Sequence, residues 1–280
     1  MNHSTVKSFT FGIGLFFTLP LVYGNSSSPS SSDGTLYINK SKTHKVAPVK
    51  YGFHYEEIGM MGEGALHAEL IRNRSFEEAT PPAGLSVKNG LYENVPAPRV
   101  KEKKVFQVDP LIGWTTYPLS YTPVFISRTD ENPMSGENKY SMLVNVTEDI
   151  ANHPDALILN RGYYGMNLKT DTSYRLSLFL KNRNYSAPLR VFLVDERGQR
   201  VSNVIEVNVG NREWTKYTGE LKPEKNVRRG MFAIQPMSKG QFQIDVVSLF
   251  PSDTWNDGKS VFRKDIVQNL KEFSPSFIRF

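Results

Sequence analysis

The sequence predicts a mostly β protein, in which an antiparallel β-sandwich is inserted into a single βαβ unit. Three observations predict it. Short β-prone runs recur with turn residues between them through the middle of the chain, a strand pattern precedes them at 51–58, and a helix pattern and a second strand pattern follow at 262–280. Strand, helix and strand in this order form a right-handed crossover, so the β-rich block between them is an insertion.

Residues 1–24 have the pattern of a secretory signal peptide, with Lys7 in the positive region and an apolar run at 9–22. The predicted location is therefore secreted, either extracellular or periplasmic. The apolar run is too short and too interrupted by glycine and proline for a membrane span, so no membrane association is expected after the leader is removed. Residues 25–34 are polar and of low complexity, which predicts a disordered tether.

Composition narrows the classes of function. The chain has 34 basic and 28 acidic residues, a net charge of +6 and no concentrated basic run, which argues against a nucleic-acid partner. It has no cysteine, which excludes disulfides, thiolate metal sites and a cysteine nucleophile. His54 and His67 have no other metal-ligand residues at a suitable spacing, so neither a metal nor a cofactor is expected.

The segment 35–78 is predicted to contain a leading strand and the first strand of the βαβ unit, Tyr51–Ile58. A glycine-spaced loop follows, and then a short helix whose apolar face comes from 66–71. Glu56 lies near the carboxyl end of the strand, where it is either solvated or held in a polar site. Period-two alternation places Gly52, His54 and Glu56 on one face and Phe53, Tyr55 and Glu57 on the other.

The block 79–250 is predicted to be the sandwich, because about nine β-prone runs recur in it with turns between them. The runs are 104–108, 140–146, 156–160, 174–181, 189–195, 204–209, 214–219, 231–235 and 241–249. Three aromatic residues in this block, Trp114, Tyr163 and Tyr164, could stack against the C–H face of a sugar. The alternative, which the pattern alone favours, is that they belong to the sandwich core or cover its edge.

The segment 251–280 completes the βαβ unit. Asn256-Asp257-Gly258 predicts a turn, Ser260 is a candidate helix N-cap, and Ser274-Pro275 should end the helix. The helical spacing is carried by Phe262, Ile266, Leu270 and Phe273. A second strand begins at Ser276. One βαβ unit cannot close a sheet, so we expect further strands beyond Phe280.

Four separated blocks, in order, resemble the amino-terminal part of glycoside hydrolase family 51 α-L-arabinofuranosidases. They are 51–58 (YGFHYEEI), 64–77 (GALHAELIRNRSFE), 162–167 (GYYGMN), and 247–255 with 263–265 and 277–280 (FIRF). The similarity spans about 35–280. It implies that the βαβ unit is the start of an incomplete (β/α)8 barrel and that the insertion resembles a carbohydrate-binding module.

The resemblance also implies a function. The family removes terminal arabinofuranosyl groups from plant arabinan and arabinoxylan with retention of configuration, by means of two glutamates on later barrel strands. This chain contains neither, so it is expected to be inactive alone. Glu56 matches the residue that binds arabinose hydroxyls, and Arg279 matches the arginine that keeps the nucleophile ionised. The alternative function is a secreted, non-catalytic glycan-binding module.

Overall fold

The computed structural model describes residues 41, 51–56, 60–79, 91–93 and 105–279. The predicted signal peptide, the tether and the leading strand at 35–38 lie outside the described residues. Most of the described chain forms two packed antiparallel sheets.

One sheet has six strands in the order β11-β10-β13-β7-β4, with β8 also paired to β13. Its strands are β4 (Trp114–Tyr117), β7 (Leu157–Asn160), β8 (Met166–Leu168), β10 (Pro188–Val194), β11 (Ile205–Asn208) and β13 (Val227–Gln235). The other sheet has the order β12-β9-β14-β6-β5. Its strands are β5 (Val124–Thr129), β6 (Ser141–Val146), β9 (Tyr174–Asn182), β12 (Thr215–Leu221) and β14 (Gly240–Pro251). A separate ribbon pairs β2 (Leu91–Glu93) with β3 (Val105–Gln107).

The main core lies between the two sheets, and alternation along each strand explains it. On β9, Tyr174, Leu176, Leu178 and Leu180 are all buried, and the residues between them are less buried or exposed. Because successive strand side chains point to opposite faces, this pattern buries one face of β9 against the opposing sheet. The core also includes the buried side chains Phe232, Ile234, Leu189, Val191, Phe242 and Ile244.

The sandwich prediction is confirmed, and each of the nine predicted runs overlaps an observed strand. Four described strands were missed, namely β2, β4, β5 and β8. Three of these contain only three or four residues, too few for alternation to stand out from neighbouring turns. The chain reverses direction at 196–199, after β10, where Asp195 N–H donates to the Gln199 carbonyl at 2.9 Å.

The βαβ unit is also confirmed. The strands β1 (Phe53–His54) and β15 (Ile278–Arg279) pair in parallel, and α1 (Lys264–Phe273) precedes β15 in the chain. Phe273 of α1 packs against Tyr51 and Phe53, with ring centroids 5.0 and 5.1 Å apart. The observed β1 is shorter than the predicted strand at 51–58, of which 57 and 58 lie outside the described residues.

Two local predictions are wrong. The helix expected over 66–71 is replaced by one irregular helical turn at Gly62–Leu66 followed by non-helical chain, because Glu63 is extended and Gly64 has φ +82°. The N-cap position of α1 is Arg263 rather than Ser260, and it makes no side-chain capping hydrogen bond. The helix does end as predicted, with Ser274 in the left-handed conformation at its C-cap.

Candidate functional site

The exposed face of the parallel β1–β15 pair is the candidate site. In this register Phe53 lies beside Ile278, and His54 lies beside Arg279. Paired residues of adjacent strands project to the same side of a sheet, and α1 covers the side on which Phe53 lies. His54 and Arg279 therefore share the opposite side, and Glu56, two residues after His54, follows the same alternation.

Two backbone hydrogen bonds hold this arrangement. Phe53 N–H donates to the Phe277 carbonyl at 3.0 Å, and Tyr55 N–H donates to the Arg279 carbonyl at 2.8 Å. The second bond connects the residue before Glu56 to the arginine itself. The carboxyl ends of the two strands thus lie side by side, which is the edge where ligands bind in parallel α/β sheets.

Glu56 and His54 are close neighbours on the shared face. Glu56 Oε2 lies 3.8 Å from His54 Nε2, and the two side chains are 58% and 52% exposed. A carboxylate in this position can accept hydrogen bonds from hydroxyl groups, and a guanidinium such as that of Arg279 can donate to a carboxylate. The sugar-binding role of Glu56 and the nucleophile-supporting role of Arg279 stay predictions.

Gly52 makes the close pairing possible. A Cβ atom at this position would lie 2.4 Å from the Phe277 carbonyl oxygen and 2.6 Å from Phe277 Cδ2. Real Cβ atoms do not approach other heavy atoms so closely, so only glycine allows Phe277 to lie over β1 on the same face as His54. The half-exposed Phe277 ring therefore forms the apolar end of the candidate site.

The loop after β1 contacts the sandwich through Tyr163. The Tyr163 hydroxyl donates to Glu63 Oε2 at 3.1 Å, and its ring lies against Gly64, where a Cβ would be 2.4 Å from Tyr163 Cγ. Burial, together with the nearby Glu63 carboxylate, raises the pKa of the Tyr163 hydroxyl. Tyr163 therefore holds the loop in place, and its ring is half-buried.

Tyr164 beside it is 71% exposed, and its proposed contact with sugar stays a prediction.

Trp114 is a core residue, and its prediction as a sugar-stacking residue is corrected. It is 6% exposed, and its ring lies 5.6 Å from Phe76 and 6.4 Å from Phe232, measured between centroids. Its indole N–H donates to the Asn73 carbonyl at 3.1 Å. A ring covered by protein in this way offers no face to a ligand, so the core alternative applies.

Glu69 was missed by the sequence analysis as a residue with a role of its own. It is 3% exposed, and its carboxylate accepts from Ile71 N–H at 3.0 Å, Leu249 N–H at 2.8 Å and Ser248 Oγ at 2.6 Å. Burial raises its pKa, and these hydrogen bonds oppose the rise. In the sequence, the position of Glu69 between the apolar residues Ala68 and Leu70 is the feature that indicates its burial. Such burial is unusual for a carboxylate.

Within the described residues, no three His, Asp or Glu side chains converge in a way that could hold a metal ion. Within the same ranges, no helix has both the length and the apolar composition to cross a membrane.

Several known proteins are similar to this chain in sequence. No protein-family model matches the sequence. The chain is 26% identical over 235 residues to α-L-arabinofuranosidase 1 of Arabidopsis thaliana, covering 82% of this chain and 30% of that protein. It is 25% identical over 232 residues to an extracellular exo-α-L-arabinofuranosidase of Streptomyces chartreusis, covering 82% of this chain and 23% of the relative.

The resemblance to α-L-arabinofuranosidases is confirmed. The fold also matches a solved structure, the arabinose-bound MgGH51 α-L-arabinofuranosidase, with a TM-score of 0.63 and 23% identity. That match covers 86% of this chain and 35% of the solved one. The chain thus spans about a third or less of the length of these relatives.

Proposed function

We propose that these residues form the amino-terminal part of a secreted, retaining α-L-arabinofuranosidase that removes terminal arabinofuranosyl groups from plant arabinan or arabinoxylan. The observation that supports the proposal is the parallel β1–β15 pair, in which His54 lies beside Arg279 and Glu56 follows two residues after His54. The similarity to curated arabinofuranosidases supports the substrate class.

In this proposal, 35–78 and 251–280 supply the first barrel strand, the first barrel helix and the second barrel strand. Residues 79–250 form the carbohydrate-binding-module-like sandwich inserted between them, and 1–24 and 25–34 serve as the signal peptide and the tether. The enzyme acts outside the cytoplasm on arabinose-containing polysaccharides or oligosaccharides. It requires neither a metal nor a cofactor.

Retention of configuration needs two carboxyl groups, one on each side of the scissile bond. One attacks the anomeric carbon to form a glycosyl ester, and the other protonates the leaving oxygen and then activates water. We assign both groups to barrel strands outside this sequence. Glu56 accepts hydrogen bonds from arabinose hydroxyls, and Arg279 donates to the nucleophile carboxylate and keeps it ionised.

The test compares residues 25–280 with the protein encoded by the complete reading frame. Release of a chromogenic aglycone from an arabinofuranoside is expected from the longer protein and not from the shorter one. In the longer protein, Glu56→Gln should raise KM by about tenfold or more, because a hydrogen bond to a charged group contributes roughly 1.5–3 kcal/mol.

The matched control is Glu272→Gln, which changes an exposed carboxylate on α1 that bonds to Gln268. It should leave KM and kcat unchanged. Clear turnover by residues 25–280 would show that the catalytic groups are placed wrongly. An inactive full-length protein, with folding verified by circular dichroism, would rule out the arabinofuranosidase activity.

A second candidate function is a non-catalytic glycan-binding module, which the 71% exposure of Tyr164 favours. Affinity electrophoresis of residues 25–280 in arabinoxylan gels tests it. Retardation that is lost in Tyr164→Ala and kept in Tyr121→Ala, another exposed sandwich tyrosine, would support this function. Equal mobility of all three proteins in gels with and without arabinoxylan would contradict it.

A further inference from the structure

A cleft of about 490 Å³ opens on the outer face of the six-stranded sheet, and none of its lining residues belongs to β1 or β15. Its volume lies within the range of about 300–1,000 Å³ that small-molecule sites occupy. The cleft is bounded by the turn that follows β10, by the end of β4 and by the chain that precedes β7. Residues that line it include Tyr117, Asp155, Arg190, Phe192, Arg197 and Gln235.

The floor of the cleft is a second apolar cluster, separate from the main core. Phe192 and Leu157 belong to this cluster, and Tyr117 packs against it. The turn after β10 packs against the Tyr117 ring, since a Cβ at Gly198 would be 3.4 Å from that ring. Tyr117 is half-buried, so one part of its ring is fixed by protein and another part is open to the cleft.

The rim carries three arginines, two of which are paired with carboxylates. The cleft is lined by Arg190, Arg197, Arg200 and Asp155, and the carboxylates of Glu206 and Glu224 lie beside Arg190 and Arg200. All three arginines are exposed. A guanidinium that no carboxylate of the chain occupies favours the binding of an anion, because it can donate charge-assisted hydrogen bonds to it.

The guanidinium groups of these arginines have N–H donors that are not used by contacts within the chain. Arg190 Nε contacts Glu206 Oε1 at 3.2 Å, and Arg200 Nη1 contacts Glu224 Oε1 at 3.2 Å. Each guanidinium has five N–H donors, so these contacts leave others unused. Within the described part of the chain, the Arg197 guanidinium makes no ion pair. The cleft therefore offers charge-assisted donors above an apolar floor.

We propose that this cleft binds an acidic glycan, that is, a chain of sugars that bear carboxylate groups. The carboxylates pair with Arg190 and Arg197, since guanidinium and carboxylate match in bidentate geometry. The C–H faces of the sugar rings lie on Tyr117, and Gln235 offers its amide oxygen to hydroxyls while its nitrogen donates to the Pro154 carbonyl at 2.6 Å.

The observations favour a glycan over a phosphate polymer. A nucleic-acid surface tracks the backbone with an extended basic stripe, whereas these arginines line one cleft together with an aromatic ring and an amide. The inference rests on the proposed function only in taking the ligand to be a plant polysaccharide. It requires no arabinose removal, so it can fail or hold independently.

The test uses residues 25–280 and polygalacturonate as the probe, at about 0.15 M salt, where charges farther apart than about 8 Å are screened. Affinity electrophoresis and titration calorimetry measure the affinity. The double variant Arg190→Gln/Arg197→Gln should bind at least about tenfold more weakly, because each lost charged hydrogen bond costs roughly 1.5–3 kcal/mol. The control Arg212→Gln/Arg228→Gln removes the same charge from exposed arginines outside the cleft and should bind within about twofold of the unmodified chain.

Neutral arabinan and inorganic polyphosphate are the two comparison ligands, which test whether binding needs negative charge and whether it needs sugar. Neither should be retained as strongly as polygalacturonate. If the double variant does not fold, Arg197→Gln alone replaces it, since this exposed side chain makes no ion pair among the described residues. An equal loss in the cleft and control variants, equal retention of polyphosphate, or no retention of polygalacturonate by the unmodified chain would each overturn the proposal.

Discussion

Glu69 Oε1 accepts a hydrogen bond from the Leu249 N–H at 2.8 Å, across 180 positions of sequence. This contact joins the segment after β1 to the last strand of the sandwich. Ser248 Oγ donates to the other oxygen of the same carboxylate at 2.6 Å, and Leu70 N–H donates to the Leu249 carbonyl at 3.1 Å. A buried carboxylate with several donors therefore fixes the βαβ unit to its insertion.

Replacing Glu69 by alanine is expected to lower the free energy of unfolding by about 2–4 kcal/mol. The change leaves the N–H groups of Ile71 and Leu249 buried without an acceptor, and each such group costs about 1–3 kcal/mol. Glu69→Gln keeps an acceptor oxygen and should cost less than about 1 kcal/mol. Urea unfolding measures both, and exposed Glu213→Ala is the control. Equal destabilisation by the Ala and Gln variants would contradict this account.

The sequence predicts some features well because they depend on local pattern. The alternation of apolar residues along β9 predicts both the strand and its buried face. The residue types of Asn256-Asp257-Gly258 predict the turn in which these residues have positive φ. The role of Glu69 could not be predicted, because its donor Leu249 is distant in sequence. Similarly, no pattern shows that Trp114 lies between Phe76 and Phe232, since that requires three segments to meet.

Asp245 is expected to make stability fall as pH rises. It is completely buried, and burial raises its pKa from 3.8 to about 7. The nearby Glu77 carboxylate adds to the rise, and the Val246 N–H, the Asn138 amide and Arg74 oppose it. Between these two pH values the folded chain holds a proton that the unfolded chain has released. The stabilisation is therefore complete below about pH 4 and is lost as pH rises to about 7.

Asp245→Asn resembles the protonated carboxyl group and should remove this part of the pH dependence. The measurement is the free energy of unfolding in urea from pH 4 to pH 8, for the unmodified chain and the variant. The difference between the two is the relevant quantity, because Glu69 also has a raised pKa and His67 has a lowered one. A difference that does not change with pH would disprove the role of Asp245.

Trp114 and Tyr164 are expected to behave oppositely when they are truncated. Trp114→Ala should cost about 3–5 kcal/mol, since it leaves a cavity beside Phe76 and Phe232. Tyr164→Ala removes a side chain that is 71% exposed and should change stability by no more than about 0.5 kcal/mol. Thermal unfolding compares them. A Trp114→Ala protein as stable as Tyr164→Ala would show that Trp114 is not part of the core.

Gly52→Ala is expected to separate β15 from β1 without unfolding the sandwich. The added Cβ would lie 2.4 Å from the Phe277 carbonyl oxygen, the acceptor of the Phe53 N–H bond. Because backbone must move to relieve this contact, the Phe53 and Tyr55 amides should exchange with deuterium about tenfold faster or more, for a local cost of at least about 1.4 kcal/mol. The Leu178 amide in β9 should keep its exchange rate.

Gly136→Ala is the matched control, since nothing lies within 4 Å of a Cβ there. Unchanged exchange at Phe53 and Tyr55 in Gly52→Ala would mean that the close approach of Phe277 does not hold the two strands together.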